Sequence, residues 1–203
     1  MAIPLDPKLG GRCIGPESLE VADLIVSTTA AKVSAIIRVA TWSDVSHTAL
    51  YIGWGQVVEA IEQGVVLRTL AAALADDTLA VAYRRPGTSP TDALRVRDYV
   101  GRQLDKPYTK AGALGGGLGV GRNPHYHPYL CAKVGIHCEL GDNSVKPYAS
   151  DNFYCSELVL GAFRTVGIPL APIPPRSSTP DDIVTIYLST HLLYVGHLKA
   201  PNR

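Results

Sequence analysis

The chain has 203 residues, of which 46% are hydrophobic and 18% charged, and its formal net charge is +1. That balance excludes a disordered chain, and a near-neutral charge leaves no electrostatic footprint for nucleic acid. No apolar run reaches the roughly 18 residues that a membrane helix requires, so no transmembrane segment is expected. The length suits one domain, taken as residues 1–203.

Residues 1–20 are rich in Pro and Gly and read as an irregular arm. Met1 to Lys8 has no basic region followed by an apolar stretch, so no secretory signal is expected. The matching expectation is a cytoplasmic protein, or one secreted by a signal-independent route to act on the cell wall. Val21 to Ser27 reads as a short buried strand. Ser27 or Thr28 then caps a helix running to about Trp42, with Val33, Ile36, Ile37 and Ala40 on its apolar face.

Residues 45–68 carry the clearest β pattern. Val45 to Ile52 is one strand, Gly53-Trp54-Gly55 a turn, and Gln56 to Ile61 the return. Gly64 marks a second turn before Val65-Val66-Leu67, giving an antiparallel meander. A short helix (Leu70 to Ala75) and a strand (Leu79 to Arg84) follow. Ser89-Pro90-Thr91-Asp92 combines a capping Ser, a Pro at the first helical position and an acid in the first turn, and that helix runs to about Leu104.

Residues 105–150 break the pattern, and about 110–150 reads as an insertion or flap. Its glycine run, Gly115 to Arg122, lacks the Gly-Lys-Ser/Thr of a phosphate loop and reads as a flexible loop. His125, His127, Cys131, His137 and Cys138 fit no standard zinc spacing, so no metal and no other cofactor is expected. Cys131 and Cys138 read as free thiols. Their pairing with each other, or of either with Cys13, is the alternative in an oxidising setting.

Residues 151–166 can carry chemistry. Leu158, Val159, Ala162, Phe163 and Val166 repeat at helical period, Asp151 or Asn152 is the expected N-cap, and Gly167 with Pro169 is the stop. Cys155 then falls in the first turn, where unpaired N–H groups and the positive end of the helix dipole favour a thiolate. The plain alternative is one more buried apolar residue on that stripe. Pro169 to Pro180 is a proline-rich connection, Thr179-Pro180-Asp181-Asp182 starts one more helix, and Leu192 to Leu198 is a final strand.

A cysteine nucleophile needs a base and a group that orients the base. The candidates for base are His47, His125, His127, His137, His191 and His197, of which His47 alone lies on an expected core strand. The alternative for His47 is a strand histidine paired with Glu for stability. Glu59 and Glu62 are the candidates for the orienting group, and hairpin register decides between them. A three-residue loop at Gly53-Trp54-Gly55 sets Glu59 opposite Ala49, on the His47 face; a two-residue loop sets Glu62 opposite His47. The residues alone leave both open.

Val45-Ser46-His47-Thr48-Ala49-Leu50-Tyr51-Ile52, then Val57-Val58-Glu59-Ala60 and Gly64-Val65, resemble the first half of the permuted NlpC/P60 superfamily. Tyr154-Cys155-Ser156-Glu157-Leu158-Val159 resembles its second half, and the nearest branch is the YiiX/YaeF-like permuted papain-like amidases. The strand at Asp23, Lys106-Pro107-Tyr108 and Thr179-Pro180-Asp181-Asp182 resemble lesser landmarks. The likeness touches most of residues 20–190 and leaves out the insertion. It departs at Thr109, where relatives tend to carry an acid after the tyrosine.

The resemblance implies an α+β, circularly permuted papain-like fold, with an antiparallel sheet packed against helices and the nucleophile at a helix N-terminus. It implies Cys155 as nucleophile, His47 as base and Glu59 as the group orienting His47. The twelve-residue step from His47 to Glu59 also matches the lecithin–retinol acyltransferase-like proteins, which supports Glu59 over Glu62. Tyr154, Ser46 and Tyr51 are assigned to substrate or oxyanion support. The implied function is a cysteine amidase or endopeptidase cleaving peptide-type amide bonds, with a peptide or peptidoglycan fragment as substrate, including the role of a secreted antibacterial effector. Two alternatives stand beside it: a lipid-directed thiol acyltransferase or esterase with a lipid or acyl substrate, and a catalytically inactive binding module whose flap covers the groove.

Overall fold

Alternation along the central strands sorts the side chains into two layers. In the computed structural model, which describes residues 11–29, 45–109, 148–170, 175–178, 180, 183 and 192–199, these strands form an antiparallel sheet. Its strands are β1 (Leu24–Thr29), β2 (His47–Gly53), β3 (Gln56–Ile61), β4 (Gly64–Thr69), β5 (Asp77–Arg84) and β6 (Leu193–Lys199), in spatial order β4-β3-β2-β1-β5-β6. The described helices are α1 (Leu70–Ala73), α2 (Pro90–Gly101) and α3 (Cys155–Thr165).

Leu24, Val26, Leu50, Val58, Val81 and Tyr83 face one side, where they pack with residues of α2 and α3. Ile25, Ala49, Tyr51, Val57, Ala80 and Ala82 face the other, clustered with Val195 of β6, Leu19 of the N-terminal arm and Leu70 of α1. Leu158 and Phe163 of α3 are fully buried, each worth roughly 1.5–3 kcal/mol relative to exposure. That burial fixes α3 against β2 and β3 and so fixes where its first residue stands.

The expected meander is present as β2, β3 and β4. Strand β1 begins later than expected, because Val21 and Ala22 form a turn, with Ala22 at φ +73°. The turn is held by Asp23, whose buried carboxylate accepts from Nε and Nη2 of Arg84, each at 2.7 Å. Ser27 and Thr28 do not cap a helix: both belong to β1 and pair with Ala80 and Leu79 of β5. The helix expected to run to Trp42 lies outside the described residues from residue 30 onward.

Ser89 caps α2 as expected, accepting from the Asp92 N–H at 3.1 Å. Neither Asp151 nor Asn152 caps α3; Tyr154 is its N-cap, with extended backbone and no side-chain cap bond. The reason is Phe153, which donates its N–H to Pro107 O and accepts from Thr109 N, both at 3.0 Å. That bridge keeps the chain extended up to Tyr154. Gly167, at φ +78°, ends α3 as expected. The glycine- and histidine-bearing stretch, the Cys131 and Cys138 pair, and all of the expected helix start near Pro180 except Pro180 and Ile183 lie outside the described residues.

Candidate active site

The register that joins His47 to Glu59 is set at the β2–β3 turn. Gly53 pairs with Gln56, so Trp54 and Gly55 make a two-residue loop, with φ of +97° at Gly53, +52° at Trp54 and +69° at Gly55. Continued without a break, that loop sets Glu62 opposite His47. A register shift between Tyr51 and Gly53 absorbs Ile52 as an extra residue and restores Tyr51↔Val57, Leu50↔Val58 and Ala49↔Glu59. The structure thus combines the shorter loop with the register of the longer one. Glu59 shares the His47 face, and Glu62 lies exposed in the β3–β4 turn.

His47 Nε2 is 2.6 Å from Glu59 Oε2. The Glu59 side chain is 3% exposed and that of His47 24%. The other Glu59 oxygen, Oε1, accepts from Arg68 Nη1 at 2.9 Å. Cys155 acts on the same ring, its side-chain hydrogen bond and its charge both favouring the protonated imidazole. His47 is the first residue of its strand, so its ring reaches both Glu59 on the sheet and the start of α3.

Charge follows this geometry. Burial alone pushes the His47 imidazole down, but the hydrogen bonds and charges of Cys155 and Glu59 outweigh it, and His47 is pushed up to about 10. Burial pushes Glu59 up, but its bonds to His47 and Arg68 hold it below the usual carboxylate range. Asp77, on β5, is pushed up to about 6, chiefly by burial, against a hydrogen bond from Ser27 and the charge of His47.

The residues around Cys155 hold the start of α3 in place. Tyr154 donates its hydroxyl to Pro175 O at 3.0 Å, and Ser156 donates to Ser178 O at 3.0 Å. Glu157, 2% exposed in side chain, accepts from the Tyr148 hydroxyl at 2.6 Å and pairs with Arg176 at 3.5 Å. Three residues of the Tyr-Cys-Ser-Glu run are therefore tied to neighbouring segments, and the one between them is Cys155. Ser46 is buried and bonded to Thr28 Oγ1 at 3.3 Å, just ahead of His47. Tyr51 sits at the turn end of β2, its hydroxyl accepting from Gly55 N at 3.0 Å.

Of the other histidines considered as base, His197 is buried in β6 and bonded to the Tyr194 hydroxyl; the rest lie outside the described residues. Reading by residue alone missed Arg68 and Tyr108. Tyr108 is half-buried, and burial, then the charges of Cys155 and Glu62, raise its hydroxyl above the usual tyrosine range. The signal for Arg68 was its strand parity, since Val66 opposes Glu59 and Arg68 follows on the same face. Among the described residues no group of three or more His, Cys, Asp or Glu side chains is gathered as a metal site. Among them also, no helix is long and apolar enough to cross a membrane.

No protein-family model matches the chain. In sequence it is similar to the probable lipoprotein peptidase YaeF of Escherichia coli strain K12, with 28% identity over 195 residues, covering 89% of this chain and 71% of YaeF. In fold it is similar to the crystal structure of the metalloprotein YiiX from Escherichia coli O157:H7, with a TM-score of 0.51 at 22% identity, covering 75% of this chain and 69% of that one. The α+β fold matches that of YiiX.

Proposed function

We propose that this chain is a cysteine hydrolase that cleaves peptide-type amide bonds through a Cys155–His47–Glu59 triad, with bacterial cell-wall peptides as the substrate class. The observation that carries the reading is the continuous run of hydrogen bonds from the Cys155 thiol through the His47 ring to the buried Glu59 carboxylate. The name of YaeF as a probable lipoprotein peptidase supports a peptide substrate.

His47 takes the Cys155 proton, and Sγ attacks the amide carbonyl carbon. The C=O electron pair moves onto oxygen, and the backbone N–H of Cys155 donates to that oxyanion. No capping side chain occupies the first turn of α3, which leaves its N–H groups for this task. The tetrahedral intermediate collapses with cleavage of the C–N bond, and His47 delivers its proton to the leaving amine. Water, deprotonated by His47, then releases the acid and restores the thiol. Glu59 holds the ring and stabilises its imidazolium form.

The test is mass spectrometry of purified muropeptides incubated with the full chain. The reading expects new free amine and carboxylate termini, absent with Cys155→Ala. Turnover of lipid esters with no cleavage of any peptide would overturn the amide assignment in favour of the acyltransferase class.

A further inference from the structure

Glu59 is buried, and an ionised buried carboxylate must have both oxygens satisfied. His47 meets Oε2, and Arg68 meets Oε1. The three side chains form a diagonal row across three adjacent strands: His47 stands one diagonal step from Glu59, which opposes Ala49, and Arg68 one diagonal step beyond, since Val66 opposes Glu59.

The Arg68 fork is itself anchored. Its Nη2 donates to Ala72 O at the end of α1, and α1 is capped by Thr69, whose hydroxyl accepts from Ala72 N at 3.2 Å. One arm of the guanidinium is thus pinned to a helix that follows β4 directly, and the other arm is aimed at Glu59. A planar fork with one arm fixed sets the direction of the second, which a flexible ammonium does not do. With Oε1 taken, the carboxylate plane is set and Oε2 is presented to His47.

We propose that Arg68 is a positioning residue of this site, acting on Cys155 through Glu59 and His47. The proposal rests on the triad reading of those three residues. Arg68 bonds Glu59 and Ala72, and the groups that set the proton affinity of His47 are its burial, Cys155 and Glu59. The other carboxyl that senses this cluster is Asp77, on the far side of β1 and bonded to Ser27.

The test reads iodoacetamide alkylation of Cys155 by peptide mapping, in the full chain, from pH 6 to pH 9. The variants are Arg68→Gln, Arg68→Lys, Glu59→Gln, the Arg68→Gln/Glu59→Gln pair and His47→Ala. Arg68→Gln is expected to slow alkylation at pH 6 about tenfold, the scale of a misplaced catalytic group, and Arg68→Lys to recover part of that loss. In the Glu59→Gln background Arg68→Gln is expected to change the rate by less than about twofold, because its only route to the thiol is already gone. An effect that multiplies in the double variant, or a single Arg68→Gln variant within about twofold of wild type, overturns the positioning role. If Arg68→Gln does not fold, Arg68→Lys with and without Glu59→Gln carries the same comparison. A rate unchanged in His47→Ala overturns the triad reading itself; a loss in His47→Ala with none in Arg68→Gln overturns only this inference.

Discussion

Glu59 Oε2 lies 2.6 Å from His47 Nε2, and the residue that makes this possible is Ile52, absorbed as an extra residue before a two-residue turn. Strand parity is otherwise unforgiving, since a one-residue slip turns every side chain to the opposite face. The bulge therefore decides which acid meets the histidine.

The first prediction concerns the His47 proton. Its folded value, about 10, stands above the ordinary 6.5, so proton binding by His47 favours the folded state. That contribution is fully present below about pH 6.5 and is lost as pH rises through about 10. A nuclear magnetic resonance titration of the ring is expected to show imidazolium at pH 8 in the wild type. The midpoint should fall in Cys155→Ala and in Glu59→Gln, because each removes a group that raises it. A midpoint that does not move in either variant contradicts the assignment.

Asp77 carries the opposite lesson about burial. Its folded value of about 6 exceeds the ordinary 3.8, so the fold prefers the neutral acid. The preference is fully present below about 3.8, and as pH rises through about 6 the buried charge costs stability. Asp77→Asn is expected to gain on the order of 1–3 kcal/mol in urea unfolding at pH 8 and almost nothing at pH 4. A gain equal at both pH values contradicts this.

Gly64 positions the segment that carries Tyr108. It sits at φ +115°, and a Cβ there would stand 2.7 Å from the Lys106 carbonyl oxygen. That carbonyl accepts from Val65 N at 2.9 Å, and Asp105 N donates back to Val65 O at 2.9 Å. Gly64→Ala must therefore strain the turn and displace residues 105–108 together. The expected cost is about 2 kcal/mol in denaturant unfolding, with altered access to Cys155 seen as a changed alkylation rate. A variant as stable as wild type would contradict it.

How much of this was legible depends on the range of each interaction. Strand parity is local, so the shared face of residues 47, 49 and 59 followed once the register was given. Register was not local: it depended on where Ile52 fits, and Gly53-Trp54-Gly55 accommodates either loop. Asp151 and Asn152 are good capping residues by local chemistry, but the bridge of Phe153 to Tyr108, which moves the cap of α3 to Tyr154, comes from a distant part of the chain. Arg68 needed two facts together, the β3–β4 pairing and the position of α1. Glu157 stood in the motif from the start, but its partners Tyr148 and Arg176 arrive from segments on either side of α3.

The central claim is that His47 activates Cys155, and the rate of Cys155 alkylation by iodoacetamide at pH 6 tests it most directly. A thiol without a partner is almost wholly protonated there and reacts slowly, whereas one paired with an imidazolium is held as thiolate. The account predicts that His47→Ala slows the reaction by about a hundredfold, with Glu59→Gln intermediate at about tenfold or more. A Cys155 that reacts at the same rate with and without His47 would contradict it.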